Sequence, residues 1–174
     1  MSYLAEKGLE AIRKVRAEKG QSQTTARELY SRCCKALIFA HAEESNERDA
    51  TPSARDASAW SGAQLHDEQV GLPLEIVANF ELTSSDAKKS STPAHFTVFY
   101  EGKPLAGVRV AAISKSQRDK PQHAVTNGAG RVRFSLEDSG PWLVECTHMI
   151  ALPARDDADY ESFWGSLTFE LVDQ

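Results

Sequence analysis

Cysteine is scarce in this chain: there are three in 174 residues, and two of them, Cys33 and Cys34, are neighbours. Three thiols cannot all pair within one chain, and a bridge between adjacent cysteines is strained, so no disulfide framework is expected. Long hydrophobic runs are lacking too. No apolar stretch approaches the roughly 20 residues of a membrane-spanning helix, so no transmembrane segment is expected. Positive charge is not in excess. The net charge is −5, whereas a nucleic-acid footprint needs a clustered basic surface, so no nucleic-acid partner is expected. Met1-Ser2-Tyr3-Leu4 lacks the basic start and apolar region of a signal peptide. No internal repeat is present. Catalytic motifs are missing as well. There is no Gly-x-Ser-x-Gly elbow. Gly128-Ala129-Gly130 joins two strands instead of leading a helix, and no Gly-Lys-Ser/Thr follows, so it is no phosphate loop. The chain reads as a non-enzyme with no resident cofactor.

What is present is β structure. Hydrophobic residues make up 41% of the chain, enough to bury a core in one domain or one domain plus an appendage. Residues 100–149 carry the clearest pattern. Val132, Phe134 and Leu136 alternate with Arg131, Arg133 and Ser135, and Val108 and Val110 alternate with Arg109 and Ala111. A period of two places the apolar residues on one face of a strand. Asn127-Gly128-Ala129-Gly130 has the composition of a tight turn, since Asn and Gly tolerate positive φ. Gly102-Lys103-Pro104 and Gly140-Pro141 mark two further turns.

The remaining segments fill out an antiparallel Greek-key β-sandwich of about seven strands preceded by two α-helices. Leu4, Leu9, Ile12 and Val15 share a helical face, with Gly20 as the stop. Thr25-Ala26-Arg27-Glu28 fits a capping box, and Ala26, Leu29, Tyr30, Cys33, Leu37 and Ile38 follow at helical spacing, predicting a second helix. Residues 42–69 are polar and poorly periodic, a long loop with Trp60 pinning it to the body. Strands are expected over 72–80, 94–100, 123–126, 142–149 and in the last segment, where Gly165, Leu167, Phe169 and Leu171 share a face. The Lys88-Lys89 pair reads as a solvated loop tip. The division is therefore a helical connector over 1–41, an irregular loop over 42–71 and a sandwich over 72–174.

GKPLAGVRV, TNGAGRVRF and the Gly-Pro-Trp strand resemble small exported β-sandwich modules, among them the carboxypeptidase-regulatory-like and collagen-adhesin B-type repeats. A narrower resemblance rests on ARELYSRCCKAL, VGLPLEIV, GKPLAGVRV, THM and DYESFWGSLTFEL, in that order. These segments resemble an exported bacterial family of unknown function, grouped with nickel- and cobalt-uptake accessory proteins. The resemblance runs from residue 3 to 172. It implies a periplasmic or secreted protein, although without a signal peptide a cytoplasmic location stays open. It also implies an earlier β domain, often opening with a histidine, so that this chain is expected to start inside the family pattern, near the connector helices.

Three constellations carry candidate chemistry. In Cys146-Thr147-His148, period two puts Cys146 and His148 on one strand face, where a divalent metal would find two ligands, with His123, Asp157 or Asp159 closing the site. The alternative is a core cysteine and a hydrogen-bonded strand-end histidine. Asp156, Asp157, Asp159 and Glu161 supply oxygen ligands at a density that suits calcium, but without EF-hand spacing they read as a hydrated loop. A hydrolase is the least supported reading. Cys33 reads as a small buried hydrophobe. The leading function is a non-catalytic binding or interaction module of an exported accessory protein, its protein or small-molecule partner unidentified. A nickel- or cobalt-binding accessory is the alternative. The apolar faces of the two helices further predict a homodimer through those helices.

Overall fold

The computed structural model describes residues 3–38, 68–79, 92–153 and 157–171. Two short helices, α1 (Tyr3–Glu6) and α2 (Glu10–Glu18), open the chain. Nine strands follow among the described residues: β1 (Glu28–Ala36), β2 (Leu74–Ala78), β3 (Thr92–Tyr100), β4 (Lys103–Pro104), β5 (Arg109–Ser114), β6 (Gln122–Val125), β7 (Arg131–Leu136), β8 (Gly140–Ala151) and β9 (Tyr160–Leu171). They form two sheets. One has the order β1-β9-β8-β5-β6; in the other, β3 pairs with β2 on one side and with β4 and β7 on the other. Every pair is antiparallel except β1–β9, which is parallel.

The alternating residues fill the space between the sheets. Val108, Val110, Val132, Phe134, Leu136, Leu167 and Phe169 are all buried in one cluster with Phe96, and Leu171 packs at its margin. Phe96 lies at the centre, its ring 6.1 Å from Phe134 and 5.9 Å from Phe169. The turn before β7 closes as its composition predicts. Gly130 has φ 71° and donates to the Asn127 carbonyl, while Asn127 Oδ1 accepts from the N–H groups of Ala129 and Arg131. A Cβ on Gly130 would stand 2.7 Å from the Val98 carbonyl oxygen, so glycine is needed for space as well as for φ.

The helices cover the outer face of the five-stranded sheet. Gly8, at φ 71°, breaks the expected first helix into α1 and α2, and Gly20, at φ 67°, ends it. Leu9 and Ile12 are buried against Met149 of β8 and Tyr160 of β9. This docking covers the apolar face of α2, so the helical dimer surface expected from the sequence is occupied by the chain's own sheet.

The predicted second helix is a strand. Residues 28–36 form β1, in register with residues 160–168 of β9. Thr25 caps no helix, and Glu28, the expected capping partner, instead accepts hydrogen bonds from Tyr3 and Ser162. The cause is tertiary. Cys33 lies beside Gly165, where no side chain competes for the core, and Lys35 reaches the buried Glu75 on β2 at 2.7 Å. Only a period of two puts both residues on the inner face, and that burial overrides local helix propensity. The helical part of the 1–41 connector thus stops at α2, and β1 belongs to the sandwich. Glu75 is 1% exposed and Lys35 10%; the carboxylate also accepts from the backbone N–H groups of Val70, Gly71 and Leu72. Burial alone would raise the Glu75 carboxyl, but the Lys35 hydrogen bond, the backbone donors and the Lys35 charge outweigh it and hold the group below its usual value. This clasp ties β1 to the opposite sheet. Residues 42–67 of the expected long loop, Trp60 among them, and the Lys88-Lys89 pair lie outside the described residues.

Candidate binding site

The outer face of the β1–β9 pair carries a groove of about 450 Å³ lined by Tyr3, Glu28, Tyr30, Arg32 and Trp164. Its residues come from three elements. α1 contributes Tyr3; β1 contributes Glu28, Tyr30 and Arg32 at period two; β9 contributes Trp164, directly beside Arg32 in the register. Lys7, in the turn after α1, lies against Trp164 without lining the groove.

Trp164 is the centre. The Lys7 ammonium sits 4.7 Å from its ring and the Arg32 guanidinium 5.3 Å, both within cation–π range. Tyr3 stacks beside it with ring centroids 6.3 Å apart. A hydrogen-bond relay fixes the floor: Trp164 Nε1 donates to Ser162 Oγ at 3.2 Å, Ser162 donates to Glu28 Oε1, and the Tyr3 hydroxyl donates to the same oxygen at 3.2 Å. Burial, then the Glu28 charge and its hydrogen bond, push the Tyr3 phenol up to about 12. It therefore stays protonated at neutral pH and acts as a fixed donor. Glu28 is held by two donors, whereas Lys7 and Arg32 have no ion-pair partner among the described residues. The groove thus sets two cations, without a carboxylate partner among the described residues, against one indole over a hydrogen-bonded base.

The expected metal residues are dispersed. Cys146 and His148 do share the inner face of β8, as period two predicts. Cys146 is buried in the core, and burial, then the nearby Glu145 and Cys33, push its thiol up to about 12. Cys33 and Cys146 flank Gly165 from opposite sides. Two strand spacings put their Cα atoms roughly 10 Å apart, beyond disulfide reach. His148 is half-buried with its ring 4.6 Å from that of Tyr100, and burial lowers its pKa. His123 pairs across from Ala111, on the face opposite to Cys146, and is exposed near Arg109 and Glu145. Asp159 accepts from the backbone N–H of Arg27 and from its guanidinium, bonds that lower its pKa. Asp157 lies at an exposed bend two residues before it, and Asp156 lies outside the described residues. Among the described residues no three His, Cys, Asp or Glu side chains stand close enough to hold a metal ion.

The order of segments along the chain now has a counterpart among known families. The pattern of a domain of unknown function, DUF4198, matches residues 4–150. The chain belongs to the DUF4198 family. No curated protein and no solved structure matches it. The DUF4198 match takes in α2, β1 and nearly all of α1 and β8. Of the groove residues, Glu28, Tyr30 and Arg32 lie within the match, as does the neighbouring Lys7, while Tyr3 and Trp164 lie outside it. None of the described helices is long and apolar enough to cross a membrane.

Sequence reasoning misses the groove entirely. The helical reading of this segment keeps Glu28 and Arg32 on one face, four residues apart, but turns Tyr30 to the opposite side. The available signal is their own alternation with Leu29 and Ser31, matched by an aromatic strand, Tyr160 to Phe169, able to pair beside them.

Proposed function

We propose that this DUF4198 chain is a non-catalytic binding module of an exported accessory protein, and that recognition occurs in the Trp164 groove. The observation that carries this reading is the pair of cations, Lys7 and Arg32, held against one indole with no ion-pair partner among the described residues. Cations without carboxylate partners beside aromatic faces suit a ligand that joins an anionic group to a flat or apolar ring. The locked phenol and the Ser162–Glu28 relay support holding over turnover, because they preorganise the groove without supplying a proton that moves. A periplasmic or secreted setting follows from the exported modules that the chain resembles. The test is calorimetry of the full chain against acidic sugars, aromatic carboxylates and their neutral analogues. Binding confined to the anionic members, and lost in Arg32→Ala and Trp164→Ala, supports the reading. Equal binding of the neutral analogues, or none of any member, overturns it.

A nickel- or cobalt-binding accessory is the second reading, favoured by the shared face of Cys146 and His148. The depth of Cys146 opposes it, since a thiol must lose its proton to ligate. Stoichiometric nickel binding abolished by His148→Ala would establish this reading over the first.

A further inference from the structure

The β1 strand ends the five-stranded sheet, and nothing among the described residues pairs with its other edge. Which backbone groups face that edge can be read from the ends of the strand. The Arg27 carbonyl accepts from Tyr160 N, and Leu37 N donates to the Thr168 carbonyl. Residues 27 and 37 therefore turn both their backbone groups toward β9, and strand alternation extends this to the odd residues between them. The even residues Glu28, Tyr30, Arg32, Cys34 and Ala36 turn theirs outward. A nine-residue edge with free donors and acceptors is a template for another strand. Its exposed apolar residues point the same way: Leu29 is 40% exposed, Tyr30 67% and Ile38, just past the end, 87%.

We propose that β1 pairs antiparallel with β1 of a second copy about a two-fold axis at Tyr30, joining two five-stranded sheets into one. Charge selects the partner and the register. A two-fold pairing must place outward-turned residues opposite each other, so within the outward run 28–36 the axis can fall at any residue from 30 to 34. An axis at Arg32 sets two guanidinium groups face to face, which is unfavourable for directly opposed strand residues. An axis at Ser31, Cys33 or Cys34 leaves neither Glu28 nor Arg32 opposite a residue of opposite charge. An axis at Tyr30 sets Tyr30 against its own copy and places Glu28 opposite Arg32 on both sides, on the outer face. Both ion pairs form at once because the surface is self-complementary, as a two-fold interface requires. Glu28, Tyr30 and Arg32 of each copy then each donate and accept one backbone hydrogen bond. Tyr30 and Arg32 also line the Trp164 groove, so the grooves of the two copies meet at the axis, and an anionic ligand in the groove competes with Glu28 of the second copy for Arg32.

Sedimentation of the full chain at rising concentration, with charge variants, tests this. The expected mass rises from 19.1 kDa toward twice that value. Arg32→Glu or Glu28→Arg should weaken association about tenfold, since each turns two attractions into repulsions. The double variant Glu28→Arg with Arg32→Glu should recover association, which a fold defect in either single variant would not predict. In a Cys34→Ser background, Tyr30→Cys should cross-link two copies on oxidation, and Leu29→Cys should not, because opposed hydrogen-bonded residues lie within the Cα span of a disulfide. A mass of 19.1 kDa at every concentration overturns the proposal. So does a dimer that is unaffected by charge reversal and does not cross-link in the Tyr30→Cys variant. A strand from a different protein on this edge would leave the chain a monomer in this assay and counts against the proposal equally.

Discussion

Replacing Lys35 by methionine removes one charge of the clasp while keeping most of the side chain's length. Lys35 Nζ and Glu75 Oε1 are 2.7 Å apart, and the pair is nearly closed to solvent, 10% and 1% exposed. Breaking a buried pair by deleting one partner costs about 3–5 kcal/mol, because the other charge is stranded. Here the stranded carboxylate keeps the backbone N–H groups of Val70, Gly71 and Leu72. That compensation places the expected loss near the lower end, about 3 kcal/mol. In a chain of this size, that is a fall of roughly 6–12 °C in melting temperature. Urea unfolding followed by circular dichroism measures the loss directly. Coupling is measured by adding Glu75→Gln: the double variant should be more stable than the sum of the singles by at least about 1 kcal/mol. The pH dependence has a definite sign. The Glu75 carboxyl is held low in the folded chain, so its contribution is present above its ordinary value of 4.5 and is lost as pH falls through the folded value. The gap between wild type and Lys35→Met should therefore narrow in acid. A change below about 0.5 kcal/mol at neutral pH would refute the reasoning, since no buried pair would then be holding β1 to β2.

Three further outcomes follow from the core, the turn and the histidines. Phe134→Ala should cost about 3–5 kcal/mol in the same assay, because the ring is buried against Phe96; a loss under about 1 kcal/mol would mean that the site collapses or the face is wrong. Gly130→Ala should cost on the order of 1–3 kcal/mol, since a side chain there meets both a positive φ and the Val98 carbonyl; a neutral result would show that the turn can adopt another conformation. His148 and His123 are both held below 6.5 in the folded chain, so stability should begin to fall as pH drops below that value, ahead of the carboxylates. His148→Phe should blunt that first decline, and an unchanged profile would show that His148 titrates normally.

The sandwich was legible where pattern and burial agree. Val132, Phe134 and Leu136 alternate cleanly, and each is buried, because β7 meets the core on one face and solvent on the other. The Asn127–Gly130 turn was legible because its backbone demands are local. β1 was not legible, for a physical reason. Ala26, Leu29, Tyr30, Cys33 and Leu37 fit a helical stripe, and Thr25 with Glu28 fits its cap, yet a different and more distant partner decides the outcome. The space beside Gly165 and the carboxylate of Glu75 lie far along the chain from their partners Cys33 and Lys35. Period two correctly placed Cys146 and His148 together on β8. It could not place His123, whose face depends on the β5–β6 register. The groove gathers Tyr3, Glu28 and Trp164 from both ends of the chain, so no local window contains it.

The claim on which both the groove and the paired edge rest is that residues 28–36 are an edge strand with alternating backbone exposure. Amide hydrogen exchange by NMR, at a concentration low enough to keep the chain monomeric, tests it residue by residue. The account predicts slow exchange at Leu29, Ser31, Cys33 and Lys35, whose N–H groups bond to β9, and fast exchange at Tyr30, Arg32 and Cys34. Continuous protection from residue 29 through 36 with helical chemical shifts would contradict it.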